Sequence, residues 1–294
     1  MIVVTTPTGA IGRQVLANLI ASDEPIRVIV RDPARLPANI GERVEVVEGT
    51  HDDPVVLDRA FRGADSVLWV VPPNPLANDV DATYLDFTRP ACEALQTHGV
   101  ERVVGVSALG RGTAMAGHAG LVTASLAMDD LIASTGVDYR ALTMPSFMEN
   151  VLRQAEPIKS KGLFFSPLSA DRKHPICATR DIARVGANLL LDCSWSGQGS
   201  VAVLGPENLS PNDMAATMSH VLGRPIGFQQ IPFEEFKAGL TRNGISEAFA
   251  QGMVDMMIAK DNGLDDAEPR TPATTAPTSF RQWCEEVLKP IILS

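Results

Sequence analysis

The chain has 294 residues, 45% of them apolar and 20% charged, with a net charge of −10 at pH 7. That length allows one large domain, or one domain with a smaller partner, around a packed core. The negative field argues against nucleic acid and anionic membrane surfaces as partners. Four cysteines without C-x-x-C spacing predict free thiols in a reducing compartment, and five histidines without an H-x-x-x-H pair predict no metal site. No apolar run reaches the roughly 18 residues of a membrane span. The first residues run straight into a strand pattern, so a cytoplasmic protein without a signal peptide is expected.

In chain order, "IVVT" (2–5) reads as a strand and 10–21 as a helix, with Ile11, Val15, Leu16, Leu19 and Ile20 on one face. "IRVIV" (26–30), "VEVV" (44–47) and "SVLWVV" (66–71) are further strands. The last is nearly all apolar, as a parallel strand covered on both faces requires. A long helix fits 78–98, a strand 102–107, a helix 117–135 stopped by Gly136, and a strand 138–142. Residues 151–175 read as irregular and hold the first lysines. A helix over 179–192 with Thr179 as N-cap, a strand at 200–205 and a helix over 210–223 capped by Ser210 and Gly223 follow. Residues 232–260 read as mostly helical, 261–277 as a polar loop and 279–288 as a last helix. This alternation predicts an α/β fold: a doubly wound parallel Rossmann sheet with a smaller mixed C-terminal lobe. The core is expected over 1–153, with 176–206 returning to it. The lobe takes 154–175 and 207–294.

"VTTPTGAIG" (4–12) lies between the first strand and first helix, where a pyrophosphate meets free backbone N–H groups. Gly9 lets the backbone approach a phosphate and Gly12 lets the helix pack on the strand. Thr6 stands where a dinucleotide fingerprint has its first glycine, and the hydroxyls of Thr6 and Thr8 are candidate phosphate donors. The other reading is an ordinary strand–helix turn. The second strand ends in Arg31, with Arg35 four residues on. Guanidinium groups suit a 2′-phosphate, so NADP(H) is favoured over NAD(H). Asp32 keeps the NAD reading open, because an acid there would hold a ribose 2′-hydroxyl.

Several stretches together resemble the NmrA-like family of atypical short-chain dehydrogenase/reductases. "TTPTGAIG" is similar to its T-G-A-T-G-x-x-G turn with one glycine fewer. "VIVRDPARL" (28–36), the segment 47–73, "DYRALTMPSFMEN" (138–150) and "ATRDIARVGANLLLD" (178–192) resemble its later motifs. The resemblance implies a nucleotide-binding Rossmann fold, found among NADPH quinone reductases, triphenylmethane reductases, isoflavone-reductase-like enzymes and silent redox-sensing regulators. It implies that Thr8, Gly9, Ala10, Ile11 and Gly12 hold the pyrophosphate and that Arg31 and Arg35 hold the 2′-phosphate. Val71 and Pro72 would line the cofactor, and Ser107 and Ala108 would lie near the nicotinamide ribose. Phe147, Met148, Glu149 and Asn150 would face the substrate cleft. Thr50, Thr143 and Met144 depart from the family pattern.

The wider superfamily uses a Tyr-x-x-x-Lys dyad for proton transfer. Tyr84 and Tyr139 are the only tyrosines here, neither has the lysine, and no lysine precedes Lys159. His118 is then a candidate acid, against a plain reading as a surface histidine. Asp129 and Asp130 read as a solvated or sheet-end helix face. Met115, Phe147 and Met148 are candidates for an apolar pocket wall, against a plain core role. Two functions follow. One is an NADPH-dependent reductase passing hydride to a quinone-like or other conjugated small molecule. The other is a non-catalytic NADP(H) sensor that binds a protein partner. A homodimer is compatible with either.

Overall fold

The computed structural model describes residues 1–294, the side chain of Asn39 apart. Seven parallel strands form its main sheet: β1 (Ile2–Val4), β2 (Ile26–Val30), β3 (Glu45–Glu48), β4 (Ser66–Trp69), β5 (Arg102–Val106), β6 (Asp138–Thr143) and β10 (Gln198–Ala202). Their spatial order is β10-β6-β5-β4-β1-β2-β3, so the chain reverses direction across the sheet at β1, between β2 and β4. In such sheets ligands bind at the carboxyl ends of the strands beside that reversal.

The helices between them are α1 (Ala10–Leu19), α2 (Ala38–Gly41), α3 (Pro54–Phe61), α4 (Val80–His98), α5 (Leu121–Ala133) and α7 (Thr179–Leu191). The apolar spacing of α1 buries Ile11, Val15, Leu16 and Leu19 on one sheet face, together with Ile182, Ala183 and Leu190 of α7. The opposite face buries Phe61, Trp69, Leu95, Met128, Ile132 and Tyr139 beneath α3, α4 and α5. All four residues of β4 are buried, which explains why it is apolar but for Ser66.

A lobe follows. It holds a three-stranded sheet of β7 (Ser146–Phe147), β9 (His174–Cys177) and β11 (Asn208–Leu209), and a parallel pair of β8 (Leu163–Ser166) with β12 (Gly227–Gln230). Its helices are α6 (Ala155–Lys161), α8 (Pro211–Leu222), α9 (Phe233–Arg242), α10 (Glu247–Asp261), α11 (Phe280–Trp283) and α12 (Lys289–Leu293). Met148, Ile158, Phe164, Met218, Phe280 and Trp283 form its core. Ser210 and Asp213 close a capping box on α8.

Helix α10 takes part in two of the seams between lobe and sheet. Gly120 and Gly252 meet backbone to backbone, and a Cβ on Gly120 would lie 2.1 Å from the Gly252 carbonyl oxygen. Ser246, the N-cap of α10, gives its amide to Pro75 O at 2.9 Å and its hydroxyl to Ala77 O at 2.5 Å.

Several local expectations change. Helix α3, started by Asp53 and Pro54, is an element the periodicity did not announce. The stretch 151–175 is ordered as a 3-10 segment (Met148–Gln154), α6, β8 and the start of β9, rather than irregular. The late strand runs 198–202, not 200–205. Ala178, not Thr179, is the N-cap of α7, and the cap comes from another segment: the Glu149 carboxylate accepts the Thr179 N–H at 3.0 Å. Among the described residues no helix is long and apolar enough to cross a membrane.

Candidate functional site

The turn from β1 to α1 is shaped by two residues. Thr6 has φ 49°, and among the described residues it alone is a non-glycine with positive φ. It thus adopts the left-handed backbone that glycine would take without strain. Its carbonyl accepts the Gly9 N–H at 2.9 Å. A Cβ on Gly9 would sit 3.3 Å from that oxygen, and one on Gly12 only 2.2 Å from it. Gly12 is therefore fixed by packing, and Gly9 keeps the turn bare.

Behind the turn, Thr5 ties β1 to β4. Its hydroxyl donates to Leu68 O at 2.8 Å and accepts the Val70 N–H at 3.0 Å. Gly9 is the N-cap of α1, with no side-chain cap and no acid in the first turn. The first amides of α1 are left without a side-chain partner, which suits an anion. The Thr6 hydroxyl is buried and has no hydrogen-bond partner.

A cleft of about 790 Å³ opens from this turn. Thr6, Thr8 and Gly9, Arg31 and Arg35, and Pro72, Asn74, Thr83 and Phe87 line it, together with Asp52 and Asp86. Arg31 and Arg35 are exposed and form no ion pair among the described residues. Asp32 turns away: its carboxylate accepts the Ala34 N–H at 3.1 Å and caps the 3-10 turn Pro33–Arg35. It is thereby committed to its own backbone.

His51 forms the back of the cleft and is a residue the sequence reading missed. Its Nε2 lies 2.9 Å from Val70 O, and its ring meets Phe87 edge-on at 4.7 Å and Trp69 at 5.2 Å. Burial is the chief cause that lowers its pKa, so the imidazole is held neutral and Nε2 donates. A signal was present: the close-packed Gly49, with φ 145°, turns the chain just before it.

The other expected residues are distributed unevenly. Ala10 opens α1 at the surface, and Ile11 points into the core rather than the cleft. Val71 packs on the buried face below α4. Ser107 and Ala108 follow β5 at the same carboxyl edge, beyond this cleft. Ala108 and Met115 pack against Ala119, Ala259 and Leu264, where α5 meets the end of α10. His118 ends an exposed 3-10 turn. Phe147 packs on the main core and Asn150 is exposed.

Two expectations are corrected. Met148 is fully buried in the lobe core, facing no cleft, because the 3-10 segment it starts turns inward. Of the two faces offered for Asp129, the solvated one is ruled out and the sheet-end one is found: it is 4% exposed and holds Ser107, just past β5, and Tyr139. The spacing of Val122, Ser125, Asp129 and Ile132 puts it on the buried stripe of α5.

The lobe supplies a lysine, but a committed one. Lys260 Nζ meets Asp265 Oδ2 at 2.5 Å, and both residues are buried. Nearby, His174 lies 3.7 Å from Asp261, which clamps the Ser169 hydroxyl at 2.6 Å.

Comparison with known proteins gives a consistent result. Residues 7–192 match a family model described as NAD(P)H-binding. A (4-alkanoyl-5-oxo-2,5-dihydrofuran-3-yl)methyl phosphate reductase from Streptomyces griseus is 31% identical over 290 residues, 97% of each chain. An NAD(P)H azoreductase from Xenophilus azovorans is 28% identical, covering 87% of this chain and 86% of that protein. An NADPH-dependent quinone oxidoreductase from Escherichia coli, solved with NADPH, superposes with a TM-score of 0.79 at 21% identity over 96% of this chain and 98% of that one.

Proposed function

Because this chain belongs to the NmrA-like family of atypical short-chain dehydrogenase/reductases, an NAD(P)H-binding family, we propose that it is an NADPH-dependent reductase of flat, conjugated small molecules. The observation that carries the cofactor half is the disposition of three neighbouring side chains. Arg31 and Arg35 line the cleft unpaired while Asp32 caps its own turn. Two guanidinium groups beside an Asp32 that is committed to its own backbone suit a 2′-phosphate better than a bare 2′-hydroxyl.

The remaining residues fit the same ligand. The uncapped amides of α1 and the hydroxyls of Thr6 and Thr8 take the pyrophosphate; the orphaned Thr6 hydroxyl gains a partner there. His51 and Phe87 give an adenine an apolar wall. Ser107 and Ala108, on the far side of β4, fall to the nicotinamide half, with Phe147 beside the acceptor. When bound, the dihydronicotinamide supplies the hydride.

The acceptor class follows from what the chain lacks. Without the Tyr–Lys dyad, it is suited to acceptors whose reduced anion is stabilised by its own delocalisation. Azo compounds and quinones behave this way. The dihydrofuranone named for the Streptomyces relative does so too: its ring double bond is conjugated with both the lactone and the alkanoyl carbonyl. For such substrates the protein's main task is to orient the acceptor and exclude water.

Oxidation of NADPH with a quinone, an azo dye and a 4-acyl-dihydrofuranone phosphate, followed by absorbance, tests this reading. Turnover of at least one supports it. Tight NADPH binding by calorimetry without any turnover favours the alternative, an NADP(H) sensor acting on a protein partner. The missing dyad is the observation behind that alternative, since the hydroxyl of Tyr139 is buried and given to Asp129.

A further inference from the structure

Asp129 lies on the sheet-facing side of α5 with its carboxyl enclosed. Oδ2 accepts the Ser107 hydroxyl at 2.5 Å and Oδ1 accepts the Tyr139 hydroxyl at 2.6 Å. Ser125 Oγ stands 3.4 Å from Ser107 Oγ. One side of the carboxyl leads outward. Arg111 Nη2 is 3.6 Å from Oδ2, and this guanidinium, with half its side chain in solvent, also holds Asp130 at the surface. Ser107 directly follows β5 at the ligand-binding edge of the sheet. The cluster therefore joins that edge to water through one hydroxyl and one carboxyl.

We propose that Ser107 and Asp129 are the proton source for the reduced acceptor, in place of the absent Tyr–Lys dyad. The inference rests on the reductase reading above. Two electrons arrive with the hydride and leave an anion on the acceptor. With Asp129 protonated, the 2.5 Å hydrogen bond runs the other way, from Asp129 to Ser107 Oγ, and the Ser107 hydroxyl turns to the acceptor; its O–H bond breaks as its proton bonds to the anionic atom. The Asp129 O–H bond breaks in turn, and its proton returns Ser107 to a neutral hydroxyl. Water at the Arg111 side reprotonates Asp129, so the net consumption is one hydride and one solvent proton.

The surroundings allow Asp129 to carry that proton. Burial pushes its carboxyl up from the ordinary range, while the hydrogen bonds from Ser107 and Tyr139 and the charge of Arg111 pull it down. Tyr139 is excluded as the acid. It is buried behind Asp129, and burial and the adjacent carboxylate raise its phenol well above its usual value. The groups facing Asp129 are Ser107 after β5, Arg111 from the following loop, Tyr139 of β6 and Ser125 of its own helix. Asp130 acts through Arg111, and Cys92 of α4 lies beyond Tyr139.

The test uses the full-length protein. With 13C-labelled aspartate and no ligand, one carboxyl is expected to titrate above the ordinary range by NMR and to vanish from the spectrum in Asp129→Asn. With NADPH and an accepted substrate, Ser107→Ala and Asp129→Asn should each lower kcat by about 10- to 100-fold, below the full effect of a general acid, because water substitutes in part. In Asp129→Asn the NADPH affinity should stay within about twofold of wild type, since that side chain is assigned to no part of the cofactor. Tyr139→Phe removes one donor to Asp129 and should move that titration upward. Ser107→Ala, the gentler change, decides the matter if Asp129→Asn does not fold. Turnover by Ser107→Ala equal to wild type overturns the proposal, as does an Asp129 that titrates in the ordinary range. A wild type that binds NADPH but oxidises it with no acceptor overturns the reductase reading instead.

Discussion

The carbonyl oxygen of Thr6 fills the space that a side chain on Gly12 would need, leaving 2.2 Å between that oxygen and a Cβ built there. The obstacle is backbone, which cannot swing aside as a flexible side chain would. Gly12→Ala should therefore push α1 off the turn, lowering Tm by several degrees, in line with a core overpacking cost of about 1–3 kcal/mol. NADPH should no longer raise Tm. Thermal unfolding with and without NADPH reads both effects.

Thr6 carries two costs in the ligand-free protein, a left-handed backbone and a buried hydroxyl with no partner. Valine keeps the shape and the backbone strain but removes the hydroxyl. Thr6→Val is expected to raise the Tm of the free protein, because an unsatisfied buried polar group costs about 1–3 kcal/mol. The same change should shrink the Tm increase that NADPH produces. A Thr6→Val protein with an undiminished NADPH response would show that the hydroxyl does not meet the phosphate.

Arg31 should discriminate between cofactors. Arg31→Ala is expected to weaken NADPH by about 10-fold or more, the scale of a lost charge-assisted hydrogen bond of about 1.5–3 kcal/mol. NADH should lose little. Calorimetry with both nucleotides decides, and equal losses would refute a 2′-phosphate at Arg31.

His51 makes the fold acid-sensitive. Its pKa is lowered chiefly by burial, against raising contributions from its hydrogen bond to Val70 and from Asp52. In the unfolded chain it takes a proton near pH 6.5, but in the folded chain only at lower pH. Below pH 6.5 the unfolded state thus binds more protons, and stability falls as pH falls. His174, also lowered by burial, adds in the same direction. Tm measured from pH 7.5 to 5.5 should decline, and His51→Gln should flatten that decline.

The lobe's buried ion pair gives a further expectation. Lys260→Met alone leaves Asp265 enclosed without its cation, a loss on the order of 3–5 kcal/mol. Lys260→Met with Asp265→Leu should recover most of it, because both charges are then gone. Chemical denaturation of the single and double variants measures the difference.

Much of this architecture is written in local pattern. The apolar runs at 26–30, 66–69 and 102–106 and the spacing of Val15, Leu16 and Leu19 depend on near neighbours, and they name the parallel sheet. The glycine turn and Arg31 are legible for the same reason, because one strand end and one helix start define them. What escaped notice depends on segments distant in sequence. Glu149 looked like a cleft residue, yet its carboxylate caps α7 and accepts the indole N–H of Trp283 at 3.2 Å. Asp32 kept an NAD reading open beside the favoured NADP(H) one, and only the fold shows its side chain closing its own turn. Asp129 was readable from helix spacing, but two adjacent aspartates left a solvated and a sheet-end face both open. Partner choice, unlike periodicity, is settled only when the chain has folded.

The bare seam between Gly120 and Gly252 gives an engineer a graded handle on the lobe. Gly120 has φ 52° and its missing Cβ would strike backbone, so any side chain there should wedge α10 outward from α5. A Cβ on Gly252 would come 3.0 Å from a methyl of Val80. An alanine there, paired with a smaller residue at position 80, should shift the helix by far less. Substitution at these two positions offers a way to widen the space between lobe and sheet without altering a residue of the nucleotide turn.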